Sequence, residues 1–99
     1  MQNVESIKRT LSKHKAELQQ KYKVKTIGVF GSYVRGEQKR SSDVDIFVEF
    51  DEDAEIGFFK FLELEELLSH MSGVKVDLVT KGVLKPYIGK CILQEVVIV

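Results

Sequence analysis

The segment GSYVRGEQKRSSDVD, Gly31–Asp45, joins two apolar runs, VKTIGVF (Val24–Phe30) and VDIFVEF (Val44–Phe50). The first run is β-branched and carries no charge after Lys25, which is typical of a central strand covered on both faces. In the second run β-branched residues recur with a period of two, which predicts another strand. Two glycines, two arginines, three serines and two aspartates are therefore expected where one strand ends and the next begins.

Apolar residues at helical spacing predict helices around these strands. The first helix is expected from about Val4 to Lys21, and the second follows the acidic stretch Asp51–Glu55 and ends at Gly73. Pro86 can occupy the first turn of a last helix in which Ile88, Cys91 and Ile92 face inward. The stripe predicted for the second helix is Phe58, Phe61, Leu62, Glu65 and Leu68, widened by Leu64, Leu67 and Met71.

A third strand is predicted for VKVDLVT, Val74–Thr80, and the C-terminal VVIV is either a short strand or the apolar end of the last helix. No repeat, low-complexity tract or linker interrupts the alternation of helices and strands. The sequence therefore predicts a single α/β domain over residues 1–99, with a small mixed sheet and helices packed on it.

Composition excludes several classes of function. Fifteen basic and fifteen acidic residues leave no net charge that would draw the protein to nucleic acid or to an anionic membrane. The single cysteine, Cys91, excludes an internal disulfide and fits a reducing compartment. The N-terminal residues lack the apolar core of a signal peptide, and nowhere do about 18 apolar residues run together. A cytoplasmic location without membrane association is expected.

Two aspartates stand where the second strand begins. Side chains two apart on a strand point to the same face, so Asp43 and Asp45 would present their carboxylates side by side. A divalent cation gives a reason for such a pair, since Mg²⁺ prefers hard oxygen ligands. Asp77 is the third candidate, because it interrupts an apolar strand and would join the pair if the two strands were neighbours. The alternative places Asp43 in a turn, Asp45 on a solvent face and Asp77 at a sheet edge.

Gly31 and Ser32 end the first strand, at a position where ligands often bind in sheets with helical crossovers. Glycine permits close approach of a phosphate to the backbone, and the Ser32 hydroxyl and nearby amides are suitable donors. The Arg35 guanidinium is suited to bidentate contact with a phosphate, or else it braces the loop by pairing with an aspartate. Lys39 and Arg40 are interpreted as a solvated face of the loop.

These residues together resemble a known signature. Read as strand, GSxxRGxxxxxSDxD, strand, the segment containing Gly31, Ser32, Arg35, Gly36, Ser42, Asp43 and Asp45 is similar to that of the minimal nucleotidyltransferases in the DNA polymerase β superfamily. A downstream strand aspartate, Asp77, completes the pattern, and the resemblance extends over essentially the whole chain. Val34 and Ile46 replace the expected alanine and leucine, which are mild changes.

The resemblance implies a polymerase β-like mixed sheet and Mg²⁺-dependent transfer of a nucleoside monophosphate, with ATP as the expected nucleotide. Asp43 and Asp45 would hold two Mg²⁺ ions with the triphosphate, and Asp77 is assigned to the metal site and to readying the acceptor hydroxyl. Gly31 and Ser32 would cradle the β- and γ-phosphates, and Arg35 and Ser42 are assigned to the same nucleotide site. Two metals would clamp the attacking and leaving oxygens as pyrophosphate departs.

The resemblance also implies a partner. Proteins of this kind are typically antitoxins of HEPN-type toxins, and some transfer AMP to a tyrosine of the toxin. A homo- or hetero-oligomer is compatible with this role, and Phe59 and VVIV are interpreted either as core or as an apolar contact surface. The alternative function is an antitoxin that neutralises its toxin by binding alone, with an idle metal site. Templated polymerisation is disfavoured by the neutral charge and the short chain.

Overall fold

The computed structural model describes residues 3–37, 39, 42–80 and 96–99. These residues form a four-stranded mixed sheet with helices packed against it, so the predicted α/β class is confirmed. No helix in these described ranges is long and apolar enough to cross a membrane. The elements in chain order are α1 (Val4–Tyr22), β1 (Val24–Phe30), α2 (Ser32–Arg35), β2 (Val44–Phe50), α3 (Phe58–Ser72), β3 (Val76–Thr80) and β4 (Val97–Ile98).

The strand order in the sheet is β3, β2, β1, β4. β1 pairs antiparallel with both β2 and β4, whereas β2 and β3 are parallel. The predicted bounds of β1 and β2 are confirmed. β3 begins at Val76 rather than at Val74, because Gly73 adopts a left-handed conformation and a bend follows it. Of the two alternatives for the C-terminal run, the strand is correct.

The main core lies between one face of the sheet and the two long helices. The side chains of α1, α3 and the central strands that form it are fully buried, as expected when apolar stripes of helices cover a sheet. They include Ile7, Leu11, Leu18, Ile27, Val29, Val44, Ile46, Val48, Leu64 and Leu68.

The stripe predicted for α3 is partly wrong. Phe58 is 70% exposed and Leu62 is 40% exposed, whereas Leu64 and Leu68 are fully buried. Apolar residues occur on most sides of this helix, so spacing alone did not identify the side that meets the sheet. Phe59 is 85% exposed, which excludes the interpretation of Phe59 as a core residue.

A smaller apolar cluster covers the other face of the sheet. Phe30 of β1 and Phe47 of β2 are buried there, with Val79 and Val96 packed against them. The central strands are therefore covered on both faces, as β1 was predicted to be. The last helix predicted after Pro86, which includes Cys91, lies outside the described residues.

Candidate active site

Strand pairing brings two of the predicted carboxylates together. In the parallel pair of β2 and β3, Asp45 is the register partner of Asp77. Register partners point to the same face, and neighbouring strands lie about 4.8 Å apart. Asp43 is the residue directly before β2, two positions from Asp45. The sequence left open whether β3 lies beside β2, and the structure confirms that it does.

The same register places the end of β1 beside this group. Phe30 is the antiparallel partner of Asp45, so Gly31 follows directly next to the carboxylate. Gly31 has φ 81° and ψ −150°, a conformation essentially restricted to glycine. A Cβ at this position would collide with Oδ2 of Asp45 and would also lie 3.0 Å from its Cγ. The glycine is thus required by both the backbone conformation and the neighbouring aspartate.

The chain then turns into the short helix α2. The Gly31 carbonyl accepts hydrogen bonds from the amides of Val34 at 3.1 Å and Arg35 at 3.2 Å. Gly36 ends the helix with φ 72°, and its amide donates to the carbonyl of Ser32. Ser32 is half-buried at the first helical position. Local backbone hydrogen bonds therefore fix the loop that carries the glycine-serine pair.

Tyr33 anchors this loop to the protein interior. Its side chain is only 3% exposed and belongs to the main core cluster. Burial, and then the negative charge of Asp43, raise the pKa of the Tyr33 hydroxyl above its ordinary value. From the sequence, Tyr33 was expected to contribute only its backbone amide. The apolar pair Tyr33 and Val34 in an otherwise mostly polar segment was the signal that could have indicated the anchor.

Arg35 and Ser42 occupy the two ends of the loop. Arg35 Nε donates to Glu37 Oε1 at 3.0 Å, and both side chains are largely exposed. Ser42 Oγ accepts a hydrogen bond from the amide of Lys39 at 2.8 Å, and the Ser42 amide donates to the Lys39 carbonyl at 3.0 Å. Ser42, immediately before Asp43, is thus bonded to Lys39 through both its side chain and its backbone.

The carboxylates suit a magnesium ion that arrives with a nucleotide. Asp43 and Asp77 are exposed and Asp45 is half-buried, so oxygen ligands are accessible at this edge. Within the part of the chain that the structure describes, no three acidic, histidine or cysteine side chains form a group that could hold a metal ion by themselves. Mg²⁺ is usually bound by one or two carboxylates plus substrate phosphates rather than by an all-protein cage. The donor set therefore fits the ion when phosphate oxygens complete it.

Comparison with known proteins extends this description. Residues 11–99 match the family described as "Nucleotidyltransferase domain". The protein adenylyltransferase MntA of Thermococcus cleftensis is 52% identical over 99 residues, which cover 100% of this chain and 98% of that protein.

Solved structures share the fold. One that is provisionally described as a minimal nucleotidyltransferase has a TM-score of 0.78 and 28% identity, covering 97% of this chain and 95% of that chain. The crystal structure of a toxin-antitoxin with AMP-PNP has a TM-score of 0.64 and 25% identity, covering 98% of this chain and 72% of that chain.

Proposed function

Because the chain belongs to the nucleotidyltransferase domain family, we propose that it transfers AMP from ATP to a hydroxyl of a partner protein. The observation that carries the proposal is the pairing of Asp45 with Asp77, beside Gly31 and with Asp43 two residues away. The name of the relative from Thermococcus cleftensis supports the adenylyl group and a protein acceptor.

Each site residue has a role in the proposed reaction. The acceptor hydroxyl loses its proton to solvent and its oxygen forms a bond to the α-phosphorus. The bond between the α-phosphorus and the bridging oxygen breaks, so that pyrophosphate leaves. Gly31 and Ser32 hold the leaving phosphates. Because Gly31 has no Cβ, the backbone here can lie close to the Asp45 carboxylate. Arg35 and Ser42 assist nucleotide binding at the ends of the same loop.

Asp43 and Asp45 would hold the Mg²⁺ ions together with the triphosphate, and Asp77 would help to orient the acceptor hydroxyl and to complete the metal site. The bound ions would stabilise the charge on the attacking and leaving oxygens. Asp77 is suited to the acceptor because it lies on β3, whereas the residues assigned to the phosphates lie in the connection between β1 and β2.

The proposed acceptor is a HEPN-type toxin, for which this protein would be the antitoxin in the cytoplasm. The structural likeness to a toxin-antitoxin with AMP-PNP supports both the nucleotide and the kind of partner. Balanced charge supports a protein acceptor rather than nucleic acid.

Transfer of label from α-³²P-ATP with Mg²⁺ to the purified product of the neighbouring gene tests the proposal. Label is expected on the partner with wild-type protein and not with Asp43→Ala/Asp45→Ala. Asp51→Ala/Asp53→Ala is the matched control, because it also removes two acids at the same spacing, outside the site. γ-³²P-ATP should label nothing, which separates nucleotidyl transfer from phosphoryl transfer.

The second candidate is an antitoxin that acts by binding alone. The exposed aromatic pair Phe58 and Phe59, whose ring centroids lie 5.8 Å apart, favours a contact surface of some kind. A stable complex that gains no label from any of the four ribonucleotides would support this candidate and contradict the enzyme.

A further inference from the structure

Glu65 introduces a carboxylate into the side of α3 that lies against the sheet. It is half-buried, and such a group is costly to shield from water unless it has a hydrogen-bond partner. Its Oε2 accepts a hydrogen bond at 3.0 Å from the amide of Leu78 in β3. Hydrogen bonds to a charged acceptor are about twice as strong as neutral ones, so this contact is expected to hold the strand firmly.

A second side chain of α3 bonds to the same strand. Ser69 Oγ accepts a hydrogen bond from the amide of Val76 at 2.9 Å and donates one to the Glu65 carbonyl at 2.9 Å. Val76 and Leu78 stand on either side of Asp77. The two hydrogen bonds from α3 therefore hold the residues on either side of Asp77, the third carboxylate of the site.

The position of β3 explains why these bonds are needed. Among the described strands, β3 is at one end of the sheet order, with β2 on its inner side. Amides along a strand point alternately to its two sides, so Val76 and Leu78 direct theirs away from β2. An outer strand with free amides is poorly fixed along that side.

We propose that Glu65 and Ser69 are positioning residues that hold the outer side of β3 and thereby keep Asp77 beside Asp45. The side chains do not belong to the nucleotide site, because α3 covers the opposite face of the sheet from the aspartates. The catalytic consequence rests on the proposed function, in which Asp77 orients the acceptor. The effect of Glu65 and Ser69 on the position of β3 is independent of the proposed function.

Amide hydrogen exchange measured by NMR tests the structural part on the full chain. Glu65→Ala should speed exchange at Leu78 about tenfold or more, since a charged hydrogen bond contributes about 1.5–3 kcal/mol. Exchange at Ile46, in the middle of β2, serves as the internal reference for global opening. Glu65→Gln should restore protection, because its amide oxygen still accepts the bond. Glu66→Ala, the matched control on the same helix, should leave Leu78 unchanged.

Transfer kinetics test the catalytic part with the same variants. Glu65→Ala should lower kcat about tenfold or more, with a smaller change in KM for ATP, because Asp43 and Asp45, which are assigned to the metal ions bound with the triphosphate, keep their places. Glu65→Gln should recover most of kcat. Ser69→Ala should resemble Glu65→Ala, and Ser69→Thr, which keeps a hydroxyl, should resemble wild type.

Unchanged exchange at Leu78 in Glu65→Ala would overturn the proposal. So would faster exchange with an unaltered kcat, or a loss of kcat that Glu66→Ala reproduces or Glu65→Gln fails to restore. A wild-type protein that transfers no label would contradict the proposed function, whereas the exchange experiment would still decide whether Glu65 holds β3.

Discussion

Gly31→Ala tests the central feature of the site, the close approach of the β1 end to Asp45. The conformation of Gly31 costs about 1–3 kcal/mol for a residue with a side chain. The added methyl group must also displace the Asp45 carboxylate, and forced overpacking costs about 1–3 kcal/mol. The free energy of unfolding should therefore fall by about 2–6 kcal/mol in total. A fall of that size is a large part of the stability of a small domain.

Gly36→Ala is the matched control for the backbone contribution. Gly36 also has a positive φ, of 72°, but among the described residues nothing beyond its chain neighbours lies within 4 Å of a Cβ built there. Its substitution should cost only about 1–2 kcal/mol. Urea unfolding followed by circular dichroism gives both values, with the m-values compared to confirm the same unfolding reaction.

A double-mutant cycle isolates the collision. In the Asp45→Ala background the carboxylate is gone and only the contact of the new methyl with the Asp45 Cβ, at 3.2 Å, remains. Gly31→Ala should then cost about 1–3 kcal/mol less than in wild type. The reasoning is refuted if the cost is the same in both backgrounds, or if it does not exceed that of Gly36→Ala.

Three further predictions concern stability. Leu64→Ala should lower the free energy of unfolding by about 2–5 kcal/mol, because Leu64 is fully buried. Phe59→Ala, at an exposed position, should change that free energy by less than about 0.5 kcal/mol in the same urea experiment. Similar losses in the two variants would contradict the assigned core. Glu37→Ala removes an exposed pair with Arg35 and should cost less than about 1 kcal/mol, so a larger loss would show that the pair braces the loop. Burial, and to a lesser extent nearby negative charge, raise the pKa values of the Tyr22 and Tyr33 hydroxyls above 10.0. The unfolded chain therefore loses these protons at a lower pH than the folded protein, so the free energy of unfolding should fall as pH rises above about 10. Tyr33→Phe should reduce that fall, and an unchanged pH profile of unfolding would contradict the assignment to Tyr33.

The parts of the fold that depend on local pattern could be predicted from the sequence. β1 and β2 have the predicted bounds, because they are followed by Gly31 and Asp51, which belong to residue types that are disfavoured in strands. Gly31, where glycine was expected to permit close approach to the backbone, has a positive φ. The end of α1 was predicted at Lys21 and lies at Tyr22, since Lys23 adopts a left-handed conformation that is rare outside glycine.

The buried side of α3 could not be predicted in the same way. Phe58, Phe59, Leu62, Leu64 and Leu68 lie on several sides of the helix, so more than one apolar stripe fits the sequence. The position of the helix on the sheet decides that Leu64 and Leu68 are buried. Glu65 appeared in the predicted stripe as an unexplained acid, and its partner, the Leu78 amide, is visible only when α3 and β3 are placed together.

For the site, the sequence predicted the residue types but not their proximity. Asp45 and Asp77 are far apart along the chain, and only the strand order β3, β2 with its parallel register makes them partners. An equally plausible order with β3 elsewhere would leave Asp77 at a distant edge. The burial of Tyr33 was also not predicted, because it depends on the position of α2 relative to the main core.

The connection between β1 and β2 is longer than their pairing requires. Residues 31–43 join two antiparallel neighbours, whereas a tight hairpin needs about 2–5 residues. The pairing of Phe30 with Asp45 shows that the strands already meet where the connection starts, so a short turn would preserve the sheet. In the described part of this connection, Ser32–Arg35 form α2, Tyr33 is buried in the main core, and Ser42 accepts a hydrogen bond from the Lys39 amide. None of these features is needed for strand pairing, and a connection of this length at the strand ends is compatible with the nucleotide site that we propose there.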